Sequence, residues 1–264
     1  MIFAKNLDYS ERLDFFDEVS STQDYLKDTY TLQRLGRNFH WVRAQHQTAG
    51  RGRMGRKWEA KKASSLLCSV AINSELFVSS GAQALFLPFV CLLSLCETLK
   101  QWIPSSSDGL LAKWPNDVLW QSHTGAVKKL AGILVESKGG KVYTAGWGVN
   151  LLGNSELEVA ISLEEILGTT FAPFMVDQFF HSLRLSFYKN LQSWFAVPKN
   201  FEIDLMEKLR THWMKDFWGR EIRVGEEKFL AIGLEDCGSL RCRALTGMDE
   251  KMISCSNNVE MDLA

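Results

Sequence analysis

Residues 113–150, KWPNDVLWQSHTGAVKKLAGILVESKGGKVYTAGWGVN, form the stretch that decides the fold of this chain. Three apolar runs, 113–120, 128–136 and 142–150, alternate there with two short turns rich in glycine, serine and lysine. Apolar runs of this length, bounded by turn residues and with no room for helices between them, predict consecutive antiparallel strands. We therefore expect an antiparallel sheet in the middle of the chain.

The flanking segments add further strands and helices to this sheet. The run 65–72 has little polar character, which predicts a central, buried strand. In the helix predicted over 81–103, Pro88 should kink the helix or lie in its first turn. Because helices do not alternate regularly with strands, we predict an α+β fold with a mixed, mostly antiparallel sheet flanked by helices. The additional predicted strands are 15–19, 39–44 and 65–72, and the predicted helices are 23–35, 81–103, 162–168, 175–195 and 201–217.

The pattern of apolar and polar residues changes after Trp218-Gly219-Arg220. Residues 221–264 contain short alternating segments that are split by glycine-containing turns, a pattern typical of a small β-barrel of four or five strands. We place a domain boundary near residue 218, which gives a large domain over 1–218 and a small one over 219–264. A length of 264 residues suits that division.

Composition excludes several classes of protein. The chain is 46% hydrophobic and 23% charged, so a packed core is expected, and its net charge is -1. A general binder of nucleic acid or of membrane surfaces would carry a basic excess.

Residues 1–9 contain no apolar signal region, and the longest apolar stretch, 82–95, is interrupted and too short for a membrane span. Six cysteines without metal-ligand spacing indicate reduced thiols, no zinc site and a cytoplasmic location.

The basic charge concentrates in the stretch Gln47–Trp58, QTAGRGRMGRKW, where three glycines alternate with four basic residues. Backbone N–H groups of glycine-rich turns form anion-binding nests, and arginine forks match carboxylate and phosphate oxygens. Such a loop, closed by a tryptophan, suits an anionic ligand with a flat ring, such as a nucleotide. It is neither a P-loop nor a dinucleotide fingerprint. On this stretch alone, a solvated loop and a nucleic-acid patch remain alternatives.

Two shorter polar groups accompany this loop. Ser21 and Thr22 offer capping hydroxyls for the helix predicted to begin at residue 23, and they could equally face a polar ligand. Asn116 and Asp117 read as turn residues. However, they lie between a lysine and a buried strand, and an aspartate is a natural Mg²⁺ ligand beside phosphate oxygens.

Taken together, these pieces closely resemble the catalytic part of the biotin protein ligases, also called biotin–[acetyl-CoA-carboxylase] ligases. The matching segments occur in the family's order, cover residues 15–152 firmly and extend loosely to the C-terminal part. The resemblance implies a class II synthetase-like catalytic domain followed by an SH3-like barrel. The segments that carry it are 47–58, 113–117, 129–136 and 146–150.

The resemblance also implies a two-step reaction that uses ATP, Mg²⁺ and biotin. The biotin carboxylate attacks the α-phosphate of ATP, and a lysine of a biotin carboxyl carrier protein of acetyl-CoA carboxylase then takes the biotinyl group from biotinyl-5′-AMP. Some family members carry an N-terminal DNA-binding module. About 14 residues precede the first predicted strand here, too few for such a module, so we expect no DNA binding. From the composition we also expect no membrane partner, and we leave open whether the chain forms a homodimer.

Matching motifs assign candidate roles residue by residue. Lys129, Arg53 and Asp117 match the catalytic groups, and Asp117 also matches the metal ligand. Asn116, Asn150, Arg56 and Trp58 match contacts to ATP. The biotin contacts are matched by Ser21, Thr22, Gln47, Gly50, Arg51, Arg53, Lys129, Gly132 and Gly146.

One departure and three alternatives accompany this interpretation. Gln23 stands where the family usually has asparagine, so residue 23 receives no specific role. A lipoate–protein ligase shares the fold and the two-step logic, but its glycine loop has a different pattern. A nucleic-acid-binding protein would use residues 50–57 as its patch. A catalytically dead biotin-binding module is the third alternative, against which the intact Lys129 and Asp117 argue.

Overall fold

A seven-stranded sheet forms the centre of the computed structural model, which describes residues 10–30, 35, 38–104, 109–153, 159–245 and 249–254. The strand order is β1-β2-β3-β7-β6-β5-β4; β1 and β2 run parallel, and all other neighbours pair antiparallel. This confirms the mixed, mostly antiparallel sheet and the central position of the strand 65–72. The strands are β1 Glu11–Val19, β2 Phe39–Gln47, β3 Ser65–Asn73, β4 Leu110–Lys113, β5 Asp117–Gln121, β6 Val127–Lys138 and β7 Val142–Asn150.

Helices cover both faces of this sheet. The long apolar helices α3 and α5 pack together over the larger core, and Pro88 lies in the first turn of α3, as predicted. Helix α1 covers the opposite face, where Leu26 packs with Val42, Ala71 and Val142. The helices are α1 Thr22–Thr29, α2 Glu75–Ser80, α3 Leu87–Trp102, α4 Leu163–Leu167, α5 Pro173–Ala196 and α6 Pro198–Lys208.

Three predicted helices were too long. The helix predicted over 81–103 begins only at Leu87, after a 3-10 turn at Ala84–Phe86. Helix α1 ends at Thr29, where the Tyr30 amide donates to the Leu26 and Asp28 carbonyls; the predicted stop at Gly36 lies outside the described residues. The helix predicted over 201–217 breaks after Lys208 into a π-helical turn and a 3-10 turn. Its apolar residues stay buried through the break, which is why the helical period continued in the sequence.

Among the described residues after 218, four strands form a separate antiparallel meander in the order β11-β10-β9-β8. This sheet contacts the larger part of the molecule through the turn at Gly238, whose carbonyl accepts a 3.0 Å hydrogen bond from Trp114 Nε1. A Cβ on Gly238 would lie 2.5 Å from the Phe89 ring, so this contact requires glycine. The barrel and the boundary near residue 218 stay predictions. The strands are β8 Glu221–Val224, β9 Glu227–Leu234, β10 Leu240–Ala244 and β11 Glu250–Ile253.

Among the described residues, one helical stretch, Ala84–Trp102, has the length and apolar composition that a membrane crossing requires. It contains α3, and 67% of its most apolar window is buried inside the protein. Such burial is typical of a core helix, and a core helix can have the same length and apolar composition as a membrane-crossing one.

Candidate ligand-binding and active site

One cavity brings together most of the candidate residues found in the sequence. It opens between the start of α1, the loop after β2, the β4–β5 turn and the strands β3, β6 and β7. All candidate site residues line this cavity except Gly50 and Asn150. Segments far apart in the chain therefore meet at one place, which a coincidence of isolated short motifs would not produce.

One end of the cavity is polar and already hydrogen-bonded. The Thr22 amide and hydroxyl both donate to Gln47 Oε1, at 2.7 and 3.0 Å. Thr22 Oγ1 also lies 2.8 Å from Ser69 Oγ. Ser21 caps α1, since its hydroxyl accepts from the Asp24 amide at 3.4 Å, and it lines the cavity as well. Ser21 can therefore cap the helix and also face a ligand. Ser69 was not identified as a site residue from the sequence, because nothing in its apolar strand distinguishes it.

Trp58 closes the cavity against two glycines on neighbouring strands. A Cβ on Gly148 would lie 2.4 Å from Trp58 Cε2, and a Cβ on Gly132 would lie 3.0 Å from Trp58 Cζ3. Glycine is required at 148 because the indole approaches the strand backbone too closely for any side chain. Gly148 received no role from the sequence, although it lies in one of the matching segments.

Lys129 and Asp117 meet on the floor of the cavity. Lys129 Nζ lies 2.7 Å from Asp117 Oδ1, and Lys113 Nζ lies 4.0 Å from Asp117 Oδ2. The Lys129 ammonium also lies 5.4 Å from the centre of the Trp58 ring. Two lysines therefore flank one carboxylate in a mostly buried position, a concentration of positive charge suited to an anionic ligand.

Carboxylates hold Arg51 of the glycine loop. Its guanidinium donates to Asp24 Oδ2 at 3.0 Å and to both oxygens of Glu136, at 3.2 and 2.6 Å. Lys27 adds a 3.2 Å ion pair to Glu136. Burial raises the pKa of Glu136, but the hydrogen bonds from Arg51 and Lys27 outweigh it and leave that pKa below its ordinary value. Asp24 and Glu136 thus anchor the loop, which the sequence did not indicate.

Arg53 and Asn116 form a second attachment of the loop. Arg53 Nη1 donates to Asn116 Oδ1 at 3.2 Å, and Asn116 Nδ2 donates to the Ile133 carbonyl at 2.8 Å. The Ile133 amide donates back to the Asn116 carbonyl at 2.9 Å. Asn116 is therefore fixed to strand β6 and presents its side chain to the loop.

Two candidates lie outside the cavity lining. The Gly50 carbonyl accepts from the Trp58 amide at 2.9 Å, and a Cβ on Gly50 would lie 2.4 Å from the Trp58 carbonyl oxygen, so Gly50 allows the loop to close on itself. Asn150 Nδ2 donates to the Lys129 carbonyl at 3.3 Å. In this conformation Asn150 supports the strand that carries Lys129, and its predicted ATP contact stays a prediction.

Gln23 lines the cavity although the sequence gave it no role. Its side chain is 4% exposed, and Nε2 donates to the Leu134 carbonyl at 2.6 Å. Its Oε1 is buried and accepts no hydrogen bond in the described part of the chain.

Comparison with known proteins agrees with this arrangement. Residues 15–151 match the family model described as "Biotin/lipoate A/B protein ligase family". The chain belongs to this family. The matched range begins in β1 and ends just after β7, so it includes nearly every element that lines the cavity.

Two curated relatives match less than half of this chain. The biotin–[acetyl-CoA-carboxylase] ligase of Paracoccus denitrificans is 37% identical over 117 residues, which cover 43% of this chain and 45% of that protein. The bifunctional ligase/repressor BirA of Escherichia coli is 35% identical over 121 residues, 46% of this chain and 33% of that protein. The chain thus matches less than half of the length of each of these relatives.

A solved structure extends the similarity to nearly the whole chain. The biotin protein ligase of Aquifex aeolicus, in complex with biotin and ATP, has a TM-score of 0.73 and 27% identity. The match covers 95% of this chain and 99% of that protein. It therefore includes the strands after residue 218, for which the sequence resemblance was loose.

Proposed function

We propose that this protein is an ATP-dependent biotin–[acetyl-CoA-carboxylase] ligase. It activates biotin to biotinyl-5′-AMP and transfers the biotinyl group to a lysine of a biotin carboxyl carrier protein. The observation that carries the proposal is the cavity itself, in which a neutral polar end at Thr22 and Gln47 adjoins a cationic end at Lys129 and Arg53. Biotin has the matching chemistry, with a neutral cyclic urea at one end and a carboxylate at the other.

The first half-reaction joins two anions. An oxygen of the biotin carboxylate forms a bond to the α-phosphorus of ATP, the bond to the bridging oxygen breaks, and pyrophosphate leaves. Catalysis of such transfers depends on positioning and charge neutralisation. Lys129 Nζ stands beside Asp117 at the floor of the cavity, where it neutralises the approaching oxygens. Arg53 and Arg56, which also line the cavity, add positive charge from the loop.

The second half-reaction uses the acyl group made in the first. The lysine amine of the carrier attacks the acyl carbon, the bond from that carbon to the phosphate oxygen breaks, and AMP leaves. The attacking amine must be unprotonated, and the proton that it loses as the amide forms passes to Asp117. Asp117 is the carboxylate among the cavity-lining residues, and it orients the incoming amine by accepting a hydrogen bond from it.

Magnesium belongs to the proposal as the companion of ATP. The described residues contain no group of three or more His, Cys, Asp or Glu side chains able to hold a metal. Magnesium in nucleotide sites commonly takes one or two carboxylates, with phosphate oxygens as further ligands. Asp117 fits such a role, in which the ion would supply positive charge on the phosphates.

The remaining parts of the proposal concern the surroundings of the site. Residues 1–218 form the catalytic domain and residues 219–264 an SH3-like barrel, a division supported by the separate meander of β8–β11. The site assignments made from the motifs, including Asn150 as an ATP contact, belong to the same proposal. A cytoplasmic location follows from the reaction, since ATP and biotin-dependent carboxylases are found there.

The deciding experiment distinguishes a biotin protein ligase from a lipoate–protein ligase. The protein is incubated with ATP, Mg²⁺, a purified biotin carboxyl carrier domain and either biotin or lipoate, and the acceptor is weighed by mass spectrometry. We expect a biotinyl adduct on one lysine and pyrophosphate–ATP exchange that depends on biotin. An adduct with lipoate but not biotin, or no adduct with either, would contradict the proposal.

A further inference from the structure

We propose that the turn at Gly238 in the small sheet positions Asp117 for the reaction, acting through the indole of Trp114. Gly238 and Trp114 are positioning residues, since their effect on the rate passes through Asp117. The inference rests on the proposed function, because it takes Asp117 to accept the proton of the carrier amine. It gives the strands after residue 218 a part in a reaction whose candidate residues all lie at or before residue 150.

The β4–β5 turn that carries Asn116 and leads into Asp117 needs support from outside the large sheet. Strand β4 is four residues long and stands last in the strand order. The Asn116 amide closes the turn by donating to the Lys113 carbonyl at 3.1 Å. The bonds between Asn116 and Ile133 secure the end of the turn against β6. A short edge strand constrains its neighbours weakly, so the start of the turn depends on the contacts of Trp114.

The Gly238 carbonyl supplies the polar contact of Trp114. The tryptophan side chain is 1% exposed, and its Nε1 donates to that carbonyl at 3.0 Å. An indole has a single N–H donor, and a buried donor that loses its acceptor is costly. The carbonyl therefore fixes the orientation of the ring, and with it the backbone three residues before Asp117.

The position of this carbonyl is itself fixed by a contact with helix α3. Gly238 has a φ of +80°, and its amide donates to the Glu235 carbonyl at 2.9 Å, which makes the turn tight. A Cβ on Gly238 would lie 2.5 Å from Phe89 Cε2. Any side chain at 238 would push the turn away from α3 and move the carbonyl relative to Trp114.

Arg210 holds the same turn from its other side. It lies in the π-helical turn Leu209–Trp213, where its Nε donates to the Leu234 carbonyl at 2.8 Å. Its Nη2 donates to Asp236 Oδ1 at 2.7 Å. Arg210 is not among the residues that line the cavity. It therefore offers a way to disturb the turn without touching a bound ligand.

A small displacement of Asp117 would affect the rate more than binding. Asp117 lies 2.7 Å from Lys129 Nζ and 4.0 Å from Lys113 Nζ, so a shift of its backbone changes both separations. A misplacement of about 1 Å at a reacting group can cost roughly a hundredfold in rate. A contact that served packing alone would instead lower the stability and leave the rate per folded molecule unchanged.

The test measures single-turnover transfer from synthetic biotinyl-5′-AMP to a purified carrier domain. Gly238→Ala is compared with Gly225→Ala, which has a φ of +63° in the β8–β9 turn of the same sheet and open space around its Cβ in the described part of the chain. We expect Gly238→Ala to slow transfer roughly tenfold per folded molecule at saturating adenylate, while the Kd of the adenylate, from calorimetry, changes less than about threefold. In an Asp117→Asn background, Gly238→Ala should slow transfer no further, because the group that it positions is gone.

The outcomes separate this inference from the proposed function. Transfer by Gly238→Ala at the rate of Gly225→Ala, or an equal slowing in the Asp117→Asn background, would overturn the positioning role. If the wild-type protein transfers no biotin, the proposed function fails before any variant is compared. Thermal melting of each variant establishes folding. Should Gly238→Ala not fold, Arg210→Gln carries the same expectations, with Arg243→Gln as its control, because Arg243 pairs with Glu250 elsewhere on the small sheet.

Discussion

Lys129 Nζ lies 2.7 Å from Asp117 Oδ1, in a part of the sheet where Asp117 pairs with Gly132 rather than with Lys129 itself. The lysine spans this offset along β6 to reach the carboxylate. The pair is only partly exposed, with 33% of the lysine side chain and 14% of the aspartate side chain accessible. An anionic ligand entering the cavity would therefore meet an ammonium already held in place.

Replacing this ammonium should slow the first half-reaction most. For Lys129→Ala we expect adenylate formation to slow by roughly 10²–10³-fold, by analogy with the loss of one oxyanion donor. Transfer from synthetic biotinyl-5′-AMP should suffer less, because that step no longer joins two anions. Lys129→Arg should restore activity only in part, since a planar fork does not replace a compact charge. Lys128→Ala, the neighbour outside the cavity lining, is the matched control for both half-reactions.

Removing the carboxylate should affect turnover more than folding. Asp117→Asn keeps the shape of the side chain but no longer balances Lys129 and Lys113. We expect the rate of biotin transfer per folded molecule to fall at least roughly tenfold, as for loss of a positioned proton acceptor. The free energy of unfolding should change by about 1 kcal/mol. Rapid-quench rates and urea unfolding of this variant are compared with those of Asp28→Asn, a control whose residue is exposed on α1. An unstable variant with full activity per folded molecule would rule the role out.

The sequence predicted the sheet well because its apolar runs and turns are local signals. Runs such as 142–150 are bounded by glycine and lysine turns, and β7 begins and ends at the same residues. Contacts between distant segments left no such signal. Ser69 looks like any buried strand residue, and the pairing of Arg51 with Asp24 and Glu136 joins three segments. Helix α1 was predicted too long because its capping residues mark a beginning but nothing comparable marks its end at Thr29.

The contact between Trp58 and Gly148 can be tested by a double-mutant cycle. Gly148→Ala places a Cβ 2.4 Å from Trp58 Cε2, and we expect a loss of about 1–3 kcal/mol in the free energy of unfolding, as for overpacked sites. In a Trp58→Ala background the same substitution should cost much less, since the obstacle is gone. Gly153→Ala is the control, because a Cβ there would lie no closer than 3.3 Å to its nearest neighbour, the Glu164 side chain. Equal losses in both backgrounds would show that the indole does not lie against Gly148.

The anchoring of the glycine loop predicts a change in its dynamics. Glu136→Gln replaces the bidentate, charged partner of Arg51 with a neutral amide. Loop opening is governed by such local contacts, so the amides of 50–57 should exchange with deuterium several times faster than in the wild type. Biotin should slow this exchange in both proteins by ordering the loop. Glu59→Gln is the control, because Glu59 is exposed and outside the cavity lining. Unchanged exchange in Glu136→Gln would mean that the loop is held by other contacts.

The same carboxylate should make stability depend on pH in a defined direction. Burial raises the pKa of Glu136, yet hydrogen bonds from Arg51 and Lys27 hold it below the ordinary glutamate value of 4.5. A carboxyl whose pKa is lower in the folded state binds its proton more readily in the unfolded chain. Its stabilising contribution is therefore complete above pH 4.5 and is lost as the pH falls through the folded-state pKa. We expect the wild type to be more stable than Glu136→Gln in urea unfolding at neutral pH, with the difference shrinking steadily below that value. A difference that stays constant down to the acid limit of folding would show that the charge of Glu136 does not stabilise the loop.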